Sequence, residues 1–256
     1  VSGWNALAAE LDRWQGQGRQ PTLWWRDDDA CRATPALATL LAIAGDAQIP
    51  VALAAVPAAL ERSLVDAVAG VPQATVLQHG YAHRNHAPPG ARNWELGSER
   101  PLAAVEVELA DGRARLQAAF GPRFRPVLVP PWNRIAPAVA ARLPAAGLVG
   151  LSTFGPRDSG TPFPGLHQCN THVDLIAWRR GRVFIGADAA LERITAHLAA
   201  RRAASVDAAE PTGVLTHHLD FDADAWEFMA ALAAATRRQG AAWVAAAAAF
   251  SETGAN

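Results

Sequence analysis

The sequence contains no lysine, so all 23 of its basic residues are arginine. No lysine Schiff base and no lysine nucleophile can operate in such a chain. Cysteine is scarce as well. Cys31 and Cys169 cannot build the disulfide framework of a small secreted scaffold, and two free thiols fit a reducing compartment better. A formal net charge of −1 offers no electrostatic footprint for nucleic acid or an anionic membrane. No apolar run approaches the roughly 20 residues of a membrane span. Residues 245–250 are apolar but short, and they read as a packed C-terminal element. The opening Val1-Ser2-Gly3-Trp4 lacks the basic, apolar, small-residue pattern of an export signal. The default expectation is the cytoplasm, with export after loss of a signal as the alternative. Linkers, charge blocks and low-complexity tracts are also missing, so residues 1–256 are expected to form a single domain.

Half of the 256 residues are hydrophobic, enough for a sizeable core and a length normal for one α/β barrel. Short apolar runs at 22–26, 50–54, 75–78, 126–129, 147–152, 172–177 and 213–216 read as strands. Alanine-rich stretches at 35–45, 58–69, 101–120, 137–146, 187–205 and 222–239 read as helices, several punctuated by proline at the start and glycine after the end. Strands alternating with helices imply a mostly parallel sheet. Polar clusters follow the first, third, fourth and last of these strands, the pattern of a barrel enzyme whose site is built from strand C-terminal ends. The expected fold is α/β, a distorted (β/α) barrel with about seven parallel strands.

The densest cluster is Gln78-His79-Gly80-Tyr81-Ala82-His83-Arg84-Asn85-His86, which holds the only tyrosine and three of the eight histidines. His79 and His83 are four apart, so one helical turn or a tight loop can aim both imidazoles at one point, a spacing suited to a divalent metal. In zinc proteases of the HExxH type a glutamate follows the first histidine; here that position is Gly80, so a base must come from elsewhere. The triple aspartate Asp27-Asp28-Asp29 can supply both a base and a carboxylate ligand. Three adjacent carboxylates repel one another, and a metal ion or a buried arginine relieves that repulsion. Two histidines and one carboxylate already make a three-ligand open site, so His86 and Asn85 read as loop or substrate-facing groups. Late in the chain, Thr216-His217-His218 ends a strand-like run, which suits one histidine to general-acid work. His172 and Asp174 alternate on one strand face, and a carboxylate there can orient a catalytic histidine. Pro130-Pro131-Trp132-Asn133-Arg134 presents a rigid turn with an indole and an amide suited to a sugar ring. His167 and His197 carry no functional expectation, and His197 reads as a solvated helix residue.

In this order the clusters resemble the polysaccharide deacetylase family (carbohydrate esterase family 4), over nearly the whole chain from about residue 22 to about residue 244. The resemblance implies a distorted (β/α) barrel that uses a divalent metal to remove acetyl groups from N-acetylated sugars. It implies an Asp-Asp pair of general base and metal ligand, His79 and His83 as the remaining ligands, a substrate wall at Pro131 and Trp132, and a general acid at His217 within Leu215-Thr216-His217. Zn²⁺ is the first expectation for the metal, with Co²⁺, Ni²⁺ or Mn²⁺ as alternatives. Two departures stand out. Three aspartates leave open whether Asp27/Asp28 or Asp28/Asp29 is the pair; the family follows its pair with glycine, and Ala30 replaces that glycine better than Asp29 would, which favours Asp28 as base and Asp29 as ligand. The family also carries an arginine before Pro-Pro to hold the base, whereas this chain has Val129, leaving Arg26 or Arg134 for that role. The substrate is expected to be an N-acetylated sugar, with Arg26, His86, Pro131, Trp132 and Asn133 on its side of the site and Asp174 behind His217. Two alternatives remain: hydrolysis of another non-peptide C–N bond in a small amide, and a catalytically impaired carbohydrate binder.

Overall fold

A computed structural model describes residues 2–251. Its first half alternates strictly: helix α1 (Gly3–Gly16), β1 (Thr22–Ala30), α2 (Pro35–Ala47), β2 (Val51–Ala55), α3 (Arg62–Ala69), β3 (Ala74–His79), α4 (Leu102–Phe120) and β4 (Phe124–Val129). The second half is less regular. It runs through α5 (Pro137–Ala140), β5 (Gly150–Leu151), β6 (His167–Gln168), β7 (Val173–Asp174), an antiparallel pair β8 (Ile176–Ala177) and β9 (Val183–Phe184), then α6 (Ala187–Arg202), β10 (Thr212–Thr216), α7 (Ala223–Arg238), β11 (Ala242–Trp243) and α8 (Ala246–Ala249). In space the main sheet runs β6-β5-β4-β3-β2-β1-β10-β7, with β11 against the start of β1. Each pairing in it is parallel.

β6 and β7 stand at opposite edges of this sheet, yet they are close in the chain. The link between them bonds to the β5 side through Cys169 N–H to Leu151 O (3.1 Å) and Thr171 N–H to Thr153 O (3.1 Å). At its other end His172 N–H donates to Gly213 O on β10 (2.8 Å). One extended stretch therefore seals the sheet into a distorted barrel, and counting it once leaves seven staves, as the strand-like runs imply.

Strand parity sorts the core into two layers. Trp24, Ala52, Ala54, Leu77, Val127, Val129 and Cys169 pack together inside the barrel. Leu23, Trp25, Leu53, Val76 and Val214 face outward and pack with the helices. Several elements differ from expectation for local reasons. The α1 helix was not foreseen: Ser2 caps it through Asn5 N–H, and Leu7, Leu11 and Trp14 line its buried face at helical spacing. The helix expected at 137–146 stops as α5 and gives way to turns before Pro144, whose ring bars a helix interior. The run 172–177 breaks into β7 and β8, because Asp174 Oδ1 accepts Ile176 N–H (2.9 Å) and turns the chain. No helix among the described residues is long and apolar enough to cross a membrane.

Candidate active site

At the C-terminal ends of β1, β3, β4, β7 and β10 the barrel opens into a cavity of about 600 Å³. Asp28, Asp29, His79, His83, Asp174 and His217 all line it. Parity explains which aspartates arrive there. Trp24, Arg26 and Asp28 share the inner face of β1, whereas Trp25 and Asp27 share the outer one. Strict alternation would send Asp29 outward with Asp27. Instead the β1–β2 register slips between Asp27 and Ala30, and Asp29 takes a left-handed backbone (φ 72°) that swings its carboxylate back to the mouth.

There Asp29 Oδ1 lies 3.1 Å from His79 Nε2 and 3.3 Å from His83 Nε2. The three side chains offer one ligand atom each within 4.8 Å of one another, the one such cluster of three potential ligands among the described residues. His79 ends β3 and is buried; its Nδ1 meets Val129 O at 3.0 Å, which suits an Nδ1–H donor and turns Nε2 toward Asp29, where it donates while the ring is protonated and offers a lone pair once it is neutral. His83 sits not on a helix but in a tight loop, with φ 52° and its ring 4.5 Å from that of Trp132. Burial pushes the Asp29 carboxyl up, but the hydrogen bond from His79 and the charges of His79, His217 and His83 win, and its pKa falls well below the carboxylate range. One carboxylate and two imidazoles aimed at a common point, with an open cavity beyond, form a donor set that fits a divalent cation.

Asp28 is held by its neighbour in parity. The Arg26 guanidinium, wholly buried, donates through Nε to Asp28 Oδ1 (2.9 Å) and through Nη2 to Oδ2 (3.0 Å). Its other donors reach Ser152 Oγ (2.7 Å), the Ser152 and Thr153 carbonyls and Asn133 Oδ1 (2.6 Å). This bidentate fork makes Arg26, rather than Arg134, the arginine that holds Asp28, and the guanidinium itself is wholly buried. Arg134 turns instead toward Asn93 O (2.8 Å) while lining the cavity.

His217 stands opposite, its Nε2 4.0 Å from Asp28 Oδ2 and its Nδ1 3.9 Å from Asp174 Oδ1. Asp174 is fixed by Trp178 Nε1–H (2.7 Å) and by the Ile176 amide, and burial raises its pKa.

Not every candidate joins the cluster. Asp27 faces the helix layer, where its carboxylate accepts from Thr216 Oγ1 (2.6 Å) and His218 N–H (3.0 Å) and meets His218 Nδ1 at 2.6 Å. His86 lies outside the cavity lining, its amide bonded to Trp94 O (2.9 Å). Pro131 is buried beneath the turn, while Trp132 and Asn133 reach the cavity. His172 leaves the face it was expected to share with Asp174: it stacks on His197 with ring centroids 3.6 Å apart and meets Glu210 at 3.2 Å. His197 is correspondingly not solvated; burial and His172 lower its pKa to about 3.

Glu95 and the turn between β8 and β9 carry no signal at motif level. Glu95 is buried and accepts the backbone N–H groups of Tyr81 (3.0 Å), Ala82 (2.8 Å) and Arg84 (3.3 Å), tying down the loop between the two histidines. Gly80 is required beside it, because a Cβ there would fall 1.9 Å from Glu95 Oε2. Tyr81 anchors the same loop to α4 through Asp111 Oδ2 (2.8 Å). The turn between β8 and β9 brings Trp178, Arg179 and Arg182 over the cavity. Among the described residues seven non-glycine residues have positive φ, and five of them, Asp29, His83, Trp132, Asn133 and Arg182, line this one cavity. Backbone strain concentrated in this way marks functional sites. A second cavity of about 630 Å³, beside Thr22, Pro211 and Val244 at the opposite end of the barrel, holds none of the candidate residues.

No family model matches the sequence, and no curated protein matches it. Solved structures do match. The family 4 carbohydrate esterase from Streptomyces lividans, in complex with acetate, superposes with a TM-score of 0.56 over 87% of this chain and 91% of that chain, at 14% identity. A family 4 acetyl xylan esterase from Clostridium thermocellum, in complex with a cobalt ion, gives 0.54 over 90% of each chain at 13% identity. A family 4 pseudoenzyme from Bacillus anthracis gives 0.59 over 91% of this chain and 66% of that chain, also at 13% identity. The chain shares the fold of the family 4 carbohydrate esterases and polysaccharide deacetylases.

Proposed function

We propose that the protein is a metal-dependent hydrolase that removes N-acetyl groups from an amino sugar or its oligomers. The observation that carries this reading is the convergence of Asp29, His79 and His83 on one point, beside an Arg26-clamped Asp28 and across from His217. The fold shared with carbohydrate esterases supports it independently. A divalent cation held by Asp29, His79 and His83, zinc first among the metals suited to these donors, would supply Lewis acidity toward the acetyl oxygen and toward water.

The chain's own groups then divide the proton work. Asp28 takes a proton from water; both its oxygens are engaged by Arg26, which fixes the direction of the carboxylate. The water oxygen attacks the acetyl carbon, and the C–N bond breaks as the nitrogen receives a proton from His217 Nε2, the ring nitrogen on the Asp28 side. Asp174 faces the other nitrogen and stabilises the imidazolium before the transfer. Trp132 supplies a stacking face beside His83.

Acetate release from N-acetylglucosamine oligomers tests this, using chelator-stripped protein and the same protein reloaded with zinc. Release only after reloading is expected; release untouched by thorough stripping would overturn the reading. A binder without turnover is the second reading, since a family 4 pseudoenzyme shares the fold. Sugar binding by calorimetry with no product would select it. The two free thiols keep the cytoplasm as the expected compartment.

A further inference from the structure

The charges of the cavity are layered. At its floor each carboxylate already has partners: Asp28 the Arg26 fork, Asp29 the two histidines, and Asp174 the Trp178 indole and the Ile176 amide. At its rim stand three arginines from two separate segments, Arg134 after β4 and Arg179 and Arg182 from the turn before β9. Arg182 bonds to Asp220 at 2.9 Å. Arg134 and Arg179 have no carboxylate partner among the described residues. Arg134 gives one donor to Asn93 O, and beyond its partial burial the like charge of Arg92 nearby depresses its pKa. Two guanidinium groups on one cavity without carboxylate partners of their own offer positive charge to an incoming anion.

The absence of lysine makes the choice of arginine uninformative, and only the placement counts. The net charge of −1 shows that an arginine-lined mouth is not the by-product of a basic protein. Trp178 and Phe154 line the same cavity and are 41% and 45% exposed, apolar surface suited to a sugar ring, although the Arg182 guanidinium lies 5.3 Å from the centroid of the Trp178 ring. A planar guanidinium fork matches a carboxylate with two parallel hydrogen bonds.

We propose that the preferred substrate is an acidic oligosaccharide, in which a sugar carrying a carboxylate neighbours the N-acetylated one, and that Arg134 and Arg179 bind that carboxylate. This rests on the deacetylase reading above. The discriminating pair of probes is a hyaluronan octasaccharide, with its alternating uronate and N-acetylglucosamine units, and the same oligosaccharide after its carboxylates are reduced to alcohols. With zinc-loaded full-length protein, kcat/KM for acetate release is expected to favour the acidic form by about tenfold or more, mainly through KM. Added salt erodes that preference. Arg179→Gln and Arg134→Gln each lower the acidic-to-reduced ratio, while Arg62→Gln on the distant α3 surface leaves the ratio unchanged. Equal turnover of the two forms would overturn the acidic-substrate proposal and leave the deacetylase reading standing. If neither form releases acetate, the deacetylase reading fails for these sugars. Calorimetry with the same pair then decides the anion site, and equal affinity for acidic and reduced forms would overturn it.

Discussion

Two carboxylate–histidine pairings flank one short stretch of β1, and they differ in everything but their parts. Asp27 and His218 meet at 2.6 Å in the helix layer, both almost fully buried, with Thr216 and a backbone amide filling the remaining acceptor sites of the carboxylate. Asp29 meets His79 and His83 at 3.1 and 3.3 Å at the edge of a cavity, with its side chain 29% exposed. The first pairing is closed on itself and holds β1 to the end of β10. The second leaves lone pairs aimed at a shared point, which only a bound cation would use fully. The same residue types close on themselves in one place and leave a cluster open to a cation in the other; the unfilled directions make the difference.

That contrast can be broken in order of size. Replacing the proposed base, Asp28→Asn, is expected to lower kcat by about 10²–10⁴-fold. Zinc affinity should persist, because Asp28 lies outside the ligand set; a rate within a few-fold of the parent would remove Asp28 from the reaction. Arg26→Met leaves Asp28 buried without its counter-charge, and a loss of about 3–5 kcal/mol in denaturant unfolding is expected. An unchanged unfolding midpoint would mean that Asp28 finds another partner.

Asp27→Asn strikes the closed pairing and should cost about 1–3 kcal/mol of stability. Its signature is in pH. Burial disfavours the charged form of His218, but Asp27 outweighs it and raises the pKa above the ordinary 6.5. The stabilisation from the protonated ring is therefore fully present below pH 6.5, the unfolded value, and is lost as pH rises through the raised native value. Thermal midpoints of the parent should fall across that window, and the Asp27→Asn protein should show a shallower fall. Parallel profiles would deny the pairing its charge. Smallest is Tyr81→Phe, which removes the bond to Asp111 at the outer end of the histidine loop and should cost about 1 kcal/mol. A larger drop in zinc affinity than in stability would show that this bond shapes the ligand loop.

The legible parts of the site were those written as spacing. His79 and His83 four apart, and Leu215-Thr216-His217 after an apolar run, can be read directly because the strands that carry them end where the apolar runs end. Arg26 was within reach too, since alternation puts it on one face with Asp28. The triple aspartate resisted for the same physical reason: a period of two assigns Asp27 and Asp29 to one face, and only the slipped register and the left-handed backbone at Asp29 part them. Glu95 and the turn bearing Trp178, Arg179 and Arg182 were illegible. One acts by accepting three backbone amides, which need no particular residue, and the other belongs to a two-residue ladder too short to leave a periodicity. Across the fold, β1 to β4 follow their hydrophobic runs closely. The second half depends on tertiary hydrogen bonds, such as Asp174 with Ile176, that no local pattern announces.

The most direct test sets the two pairings against each other by zinc titration calorimetry on metal-stripped protein. The parent and the Asp27→Asn protein are expected to bind one zinc with the same affinity, and Asp29→Asn to lose at least about 100-fold. Zinc binding that survives Asp29→Asn, or that disappears with Asp27→Asn in a folded protein, would contradict the assignment of the open cluster as the metal centre.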